Sequence, residues 1–293
     1  MRISVVIRTL NEARHLPDLL RSIAAQQLER HECEVVLVDS GSTDGTLQIA
    51  EEHRCRIVPI RKEDFSFGRS LNVGCLAATG EALVFISGHC VPRDVHWLAR
   101  LVQPLGQSDI VYSYGGQIGG ADTHFSEHQI FAKYFPAESK VPQDGFYCNN
   151  ANSALLRAEW ETLRFDEELT GLEDMYLAKQ LVQRGKKIAY VADACVHHLH
   201  DETWRQVKRR FEREAIALQR IMPEVQLGLL DVMRYATSAI LLDCGAALQE
   251  RKLGKYFSRI VAYRVCQFWG AYKGNHSHRR LSRVAKERYY FPR

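Results

Sequence analysis

Val35-Val36-Leu37-Val38-Asp39 followed by Ser40-Gly41-Ser42-Thr43-Asp44-Gly45-Thr46 decides how this chain is read. An apolar run too short for a buried helix stops at an acid. A turn of small polar residues follows, and Asp44 announces the next helix. Working outward, Ile3–Arg8, Arg56–Ile60, Ala82–Ser87 and Ile110–Tyr114 are similar Val-, Ile- and Leu-rich runs. Between the first two, Leu16, Leu19, Leu20, Ile23 and Leu28 keep helical spacing, with Asn11 available as a cap and Pro17 near the first turn. A third helix is expected over Arg69–Ala78. Strand alternating with helix predicts an α/β fold, a Rossmann-like, mainly parallel sheet flanked by helices.

From Gly115 to Gly145 the pattern dissolves into Gly, His, Asp and Pro, which reads as a long mobile loop. Regularity returns at Asn152–Arg157, in a helix over Glu173–Arg184 closed by Gly185, and in a strand over Lys187–Val191. Beyond Asp201 nearly everything has helical period. The expected organisation is an α/β domain over residues 1–200 and a helical extension over 201–293.

The 293 residues are 46% hydrophobic, enough for a substantial core. Eight scattered cysteines with no CxxC pair argue against a zinc knuckle or a disulfide framework and suit reduced thiols. A first strand at Ile3 leaves no room for a signal segment. The longest apolar stretch, Tyr235–Leu248, is interrupted by Asp243 and is shorter than the roughly 20 residues that cross a bilayer. A cytoplasmic chain without a transmembrane helix is the expectation. Residues 251–293 hold twelve Lys or Arg against one acid, Glu287, a net of +11, so the first 250 residues carry −7 of the total of +4. A basic tail on an acidic body suggests an anionic partner: phospholipid headgroups, a phosphorylated lipid or nucleic acid. A solvated helical face is the plain alternative.

Ligands of open α/β sheets bind beyond the carboxyl ends of the strands, so polar residues there are the candidates. Asp39 can accept hydrogen bonds from a base or ribose, or simply begin a capped turn. Ser87-Gly88-His89-Cys90 ends the fourth strand, with Val91-Pro92-Arg93-Asp94 expected to begin a helix. His89 can ligate a divalent metal or be structural. Gly171-Leu172-Glu173-Asp174 places two acids at a helix start, where the dipole alone would favour them, or where one could serve as general base. In His197-His198-Leu199-His200 the extended chain would project His198 and His200 to one face, as a metal or phosphate contact or as a solvent-facing cluster.

In this order the segments resemble glycosyltransferase family 2, whose members have the GT-A fold, over about residues 1–200. The resemblance rests on Val5-Val6-Ile7-Arg8-Thr9-Leu10-Asn11-Glu12, Val38–Thr46, Asn72-Val73-Gly74 with Ala77–Glu81, Thr170–Asp174 and Val191–His198. It implies an inverting transferase that takes a sugar from a nucleotide-diphosphate donor. It assigns Asp174, beside Glu173, as catalytic base. Thr9, Asn11, Glu12, Asp39, Ser42, Asp44, Arg69, Asn72 and His89 fall on the donor side, with Asp39 at the nucleobase. His89 and His198 become candidate ligands of a divalent metal, Mn²⁺ or Mg²⁺. Where the family carries Asp-x-Asp this chain has Ser87-Gly88-His89, so both metal-binding carboxylates are missing and metal dependence is left open. Leu71 stands where relatives often carry Arg. The acceptor is expected against Phe146–Asn152, on the amides of Asn149, Asn150 and Asn152. A glycan or polyprenyl-diphosphate-linked acceptor at an anionic membrane would suit the tail, with Tyr256, Phe257, Tyr263, Phe268, Trp269 and Tyr272 among its cations, and would place the chain peripherally at the inner face of a membrane. Bacterial surface polysaccharide synthesis is the expected context. A noncatalytic nucleotide- or glycan-binding module of the same fold is the alternative. Nucleic-acid binding lacks an accompanying motif, and a nucleotidyltransferase lacks its Gly- and Lys-containing phosphate loop.

Overall fold

The computed structural model describes residues 1–28 and 31–277. Its elements are β1 (Arg2–Thr9), α1 (Leu16–Ala24), β2 (Glu32–Asp39), α2 (Thr46–Glu52), β3 (Arg56–Pro59), α3 (Phe67–Ala77), β4 (Ala82–Ser87), β5 (Cys90–Pro92), α4 (Trp97–Val102), β6 (Ile110–Gly119), α5 (Phe125–Tyr134), β7 (Asn152–Leu156), α6 (Arg157–Thr162), α7 (Glu173–Gln183), β8 (Lys187–His198), α8 (Trp204–Ile221), α9 (Leu229–Gln249) and α10 (Leu253–Asn275). They form two compact units. The first holds Met1–Asp122, Ile130–Leu169 and Glu173–His200; the second holds Thr123–Gln129, Thr170–Leu172 and the chain from Asp201 on.

The first unit is built on one eight-stranded sheet in the order β3-β2-β1-β4-β7-β6-β8-β5. The β3-β2-β1-β4 half is parallel, as is β6 with β8, whereas β7 runs antiparallel to β4 and β6 and β5 antiparallel to β8. Strands buried on both faces need apolar residues at every position, which is why the runs are continuous rather than alternating. Ile3, Val5, Ile7, Leu37, Val84 and Ile86 pack under α1 and α4. Val6, Val36, Val38, Leu83 and Phe85 face the other way, onto α3, α7 and Trp160.

Several sequence expectations need correction. Asn11 does not cap α1: His15 occupies that position, and the Asn11 side chain instead accepts from the Thr43 N–H at 2.8 Å. After Ser87 the chain forms not a helix but β5, paired with β8 in the register Cys90↔His198 and Pro92↔Val196. The helix begins only at Trp97. The expected loop from Gly115 is strand to Gly119, paired with β8, and α5 occupies part of the remainder. Glycine there serves close approach rather than disorder, since a Cβ on Gly115 would lie 2.0 Å from the Ala194 carbonyl oxygen. Its partner β8 likewise continues past Val191 to His198.

In the second unit, Thr203 and Gln206 form a capping box that starts α8. Helix α10 buries Ile260 and Tyr263. Arg264 closes a bidentate pair on Asp243 at 2.7 Å from each oxygen, which accounts for the acid inside the apolar stretch of α9. Of the aromatics and cations of the basic tail, residues 251–293, Tyr263 and Arg264 are therefore interior and not available to a membrane face, while Phe257 and Trp269 are exposed. The rest of that stretch, 278–293, lies outside the described residues. Among the described residues no helix is long and apolar enough to cross a membrane.

Candidate active site

The carboxyl ends of β1 and β2 are laced together by side chains. Both Asp39 oxygens are engaged: Oδ2 accepts from the N–H groups of Gly41 and Ser42 at 2.8 and 2.9 Å, and Oδ1 from the hydroxyls of Thr9, at 3.1 Å, and Ser42. Ser42 Oγ in turn accepts from Asn11 N–H at 2.8 Å. Asp44 accepts from Ala13 N–H at 3.0 Å and from the Thr46 hydroxyl at 2.6 Å, and that hydroxyl accepts from Glu12 N–H at 2.8 Å. Gly45, at φ +93, lets the turn enter α2. A nucleobase N–H reaching Asp39 must displace one of these donors, because a carboxylate offers about four acceptor positions.

The loop after β1 also reaches the end of β4. Glu12 Oε1 lies 2.9 Å from His89 Nδ1. His89 is pinned from the other side, its carbonyl accepting from Leu199 N–H at 3.0 Å. Its ring stacks on His198 with centroids 5.2 Å apart, and His198 meets His200 at 4.0 Å. One ring nitrogen from each of the three lies within 4.8 Å of the others. The alternation expected along the extended segment thus does bring His198 and His200 together, and His89 joins them.

A hydrogen-bond chain leads from this cluster to the acids of α7. His198 Nδ1 is 2.7 Å from Gln117 Oε1, Gln117 Nε2 donates to Asn149 Oδ1 at 3.0 Å, and the next residue's backbone, Asn150 N–H, donates to Asp174 Oδ2 at 2.8 Å. Asp174 Oδ1 accepts from Met175 N–H at 2.7 Å. Glu173, also buried, takes the Arg8 guanidinium at 3.2 Å, while Arg8 also donates to the Phe67 carbonyl. Burial, then the adjacent Glu173 carboxylate, push Asp174 up to about 7, against the pull of the Asn150 and Met175 N–H groups and of Arg8. Asp174 can therefore exchange a proton near neutral pH. Every group in this chain belongs to the first unit.

Three candidates from the sequence have other work in the fold. All four hydrogen-bonding positions of the Asn72 amide are filled within the protein: it donates to the Phe165 carbonyl and Glu167, and accepts from the Trp160 indole and Phe165 N–H, at 2.9–3.1 Å. Asn72 thus ties α3 to the segment 160–167 and offers a donor substrate nothing. Asn152, fully buried, donates to the carbonyls of Gly116 and Ala194 and accepts from the Trp97 indole, which makes it a core tie rather than an acceptor contact. Arg69 lies 3.8 Å from Asp64 in an exposed pair. Of the other acceptor candidates, Asn149 is engaged by Gln117 and Ala151 N–H, and Asn150 Oδ1 accepts from Tyr112 and Ser153. Two contributors escaped the sequence reading. Arg8 was signalled by a lone cation ending an apolar strand. Gln117, inside a glycine run taken for loop, had no local signal.

The histidines also suit an ion. Asn149 Oδ1 accepts from a backbone N–H, that of Ala151, which fixes it as oxygen. Gln117 must then present Nε2 to Asn149 and Oε1 to His198, so His198 Nδ1 carries hydrogen, and in the neutral ring the lone pair is on Nε2. Glu12 likewise takes the Nδ1 proton of His89. A carboxylate or amide oxygen on the far ring nitrogen is the usual arrangement behind a metal-ligating histidine.

A mixed sheet of this order flanked by helices is the GT-A architecture. The family description "Glycosyl transferase family 2" matches residues 4–162, more than half of the chain, and the chain belongs to that family; it is a glycosyltransferase. Among similar proteins, the O-antigen chain rhamnosyltransferase RfbN of Salmonella typhimurium is 27% identical over 93% of this chain and 95% of its own length. The poly(ribitol-phosphate) β-N-acetylglucosaminyltransferase TarS of Staphylococcus aureus is 36% identical over 90% of this chain and 45% of its own. In fold, the chain is similar to the mannosyltransferase PcManGT of Pyrobaculum calidifontis, solved with GDP-Man and Mn²⁺, at a TM-score of 0.65 and 18% identity over 95% of this chain and 86% of that one.

Proposed function

We propose that the protein is an inverting glycosyltransferase of bacterial surface polysaccharide synthesis, with Asp174 as general base and a nucleotide-diphosphate sugar as donor. The carrying observation is the placement of Asp174. It is a buried carboxylate with raised proton affinity at the start of α7, joined through Asn150, Asn149 and Gln117 to the histidines at the end of β4. The acceptor hydroxyl gives its proton to Asp174 as its oxygen attacks C1. The C1–O bond to the diphosphate breaks, and its electron pair leaves with the diphosphate. A single displacement from the opposite face inverts the anomeric centre. Arg8 holds Glu173 so that the second carboxylate stays paired beside the base.

On the donor side, the turn from Asp39 to Thr46 would meet the nucleoside. The residues that would hold a divalent ion, Mn²⁺ as in PcManGT or Mg²⁺, are His89 and His198. Such an ion supplies positive charge where the leaving diphosphate develops negative charge. RfbN acts on O-antigen chains and TarS on poly(ribitol-phosphate), by their names, which supports a polymeric or lipid-linked glycan as acceptor. A cytoplasmic chain held peripherally at an anionic membrane by 251–293 fits that acceptor. Flotation with anionic vesicles is expected to fall when 278–293 are removed, and equal flotation contradicts the membrane assignment.

The function is tested by offering a panel of nucleotide sugars and following donor hydrolysis and transfer. The expected product has the opposite anomeric configuration to the donor, and Asp174→Asn retains nucleotide binding without transfer. Retention of configuration, or full transfer by Asp174→Asn, contradicts the assignment.

A further inference from the structure

We infer that His200 completes a three-imidazole site with His89 and His198 which takes a borderline transition-metal ion and discriminates against Mg²⁺, with Glu12 and Gln117 as positioning residues. The inference deepens the donor-side reading above and rests on it for its place in the reaction. The observations are independent of turnover.

Two of the ligands come from one strand end. β8 ends at His198, and His200, two residues on, brings its ring to within 4.0 Å of the His198 ring, centroid to centroid. The third comes from the turn between β4 and β5. It is brought to them by the pairing of Cys90 with His198 and by the Leu199 N–H bond to the His89 carbonyl. Nitrogens sharing an ion at 2.0–2.1 Å lie at most about 4.2 Å apart. One ring nitrogen of each of the three lies within 4.8 Å of the others. The backbone is already in place.

The donor set decides which ion. Where carboxylates would give hard oxygen ligands, position 87 is a serine and position 89 a histidine, and a Cβ at Gly88 would sit 2.8 Å from Glu12 Cγ. Glycine at 88 thus lets Glu12 lie behind His89. The acid is spent on fixing the ring rather than on the ion, at 2.9 Å from Nδ1. Three nitrogens with no carboxylate among them suit Zn²⁺, Co²⁺, Ni²⁺ and, more weakly, Mn²⁺, whereas Mg²⁺ prefers an octahedron of oxygens.

The test uses the full chain, stripped of metal and titrated with Co²⁺ alone. Binding is read from the visible ligand-field spectrum and from competition. One ion per chain is expected. Excess Mg²⁺ should leave the spectrum unchanged, and His200→Ala and the isosteric His200→Gln should each weaken binding at least about tenfold. Glu12→Gln and Gln117→Leu should weaken it by about 10- to 100-fold, the usual effect of losing a group behind a ligand. Displacement of Co²⁺ by equimolar Mg²⁺, absence of binding, or wild-type affinity in both His200 variants would overturn the inference. The transferase reading is scored separately, by sugar transfer, and stands or falls without the Co²⁺ result.

Discussion

Two buried aspartates end up in different hydrogen-bonding surroundings. Asp39, 3% exposed, is met by two backbone N–H groups and two hydroxyls, so both its oxygens are spent holding the turn after β2. Asp174, 7% exposed, receives only two N–H groups and lies beside another carboxylate, and its affinity for a proton rises. Burial is common to both. The number of donors, and the sign of the nearest charge, set how far burial raises a carboxyl's affinity for a proton.

The contrast can be broken most forcefully at Asp174. Asp174→Asn is expected to lower kcat by about 10²- to 10⁴-fold, the span typical of a lost general base. Single-turnover transfer would show it. Stability should move the other way. A carboxyl whose affinity is raised in the fold contributes stability below its unfolded value near 4, and that contribution is lost as pH rises through about 7. Relative to wild type, Asp174→Asn should therefore gain stability between pH 4 and pH 8 in denaturant unfolding, by up to about 4 kcal/mol, about three units at about 1.4 each. Asp39→Asn should be destabilised by about 1–3 kcal/mol at the same pH 8, because the bonds from the Gly41 and Ser42 N–H groups lose their charge assistance and the new amide nitrogen meets the Thr9 and Ser42 hydroxyls, which must turn to accept. Thr9→Val, which removes one donor from Asp39, should cost about 1 kcal/mol in the same denaturation experiment.

Much of the parallel half of the sheet could be read from composition, since burial on both faces forces the runs at Ile3, Val35 and Ala82 to be continuously apolar. Three features escaped. The strand β5 has only three residues and exists because β8 pairs with it. The second half of β6 is glycine-rich because β8 crosses too closely for side chains. Asn72 and Asn152 read like ligand contacts because sequence shows an amide but not its partners, which here are indoles, carbonyls and peptide N–H groups of the core. The acids at strand and helix ends were visible because the carboxyl edge of a sheet is where backbone groups are left for a ligand. Their linkage through Gln117 and Asn149 was not, since it depends on which loops the strand order brings together.

The most direct test of the central claim is the pH dependence of kcat/KM for sugar transfer. A base with an affinity set by burial and by Glu173 predicts a limb that falls tenfold per unit below a midpoint near 7. A rate flat from pH 5 to 8 would contradict it.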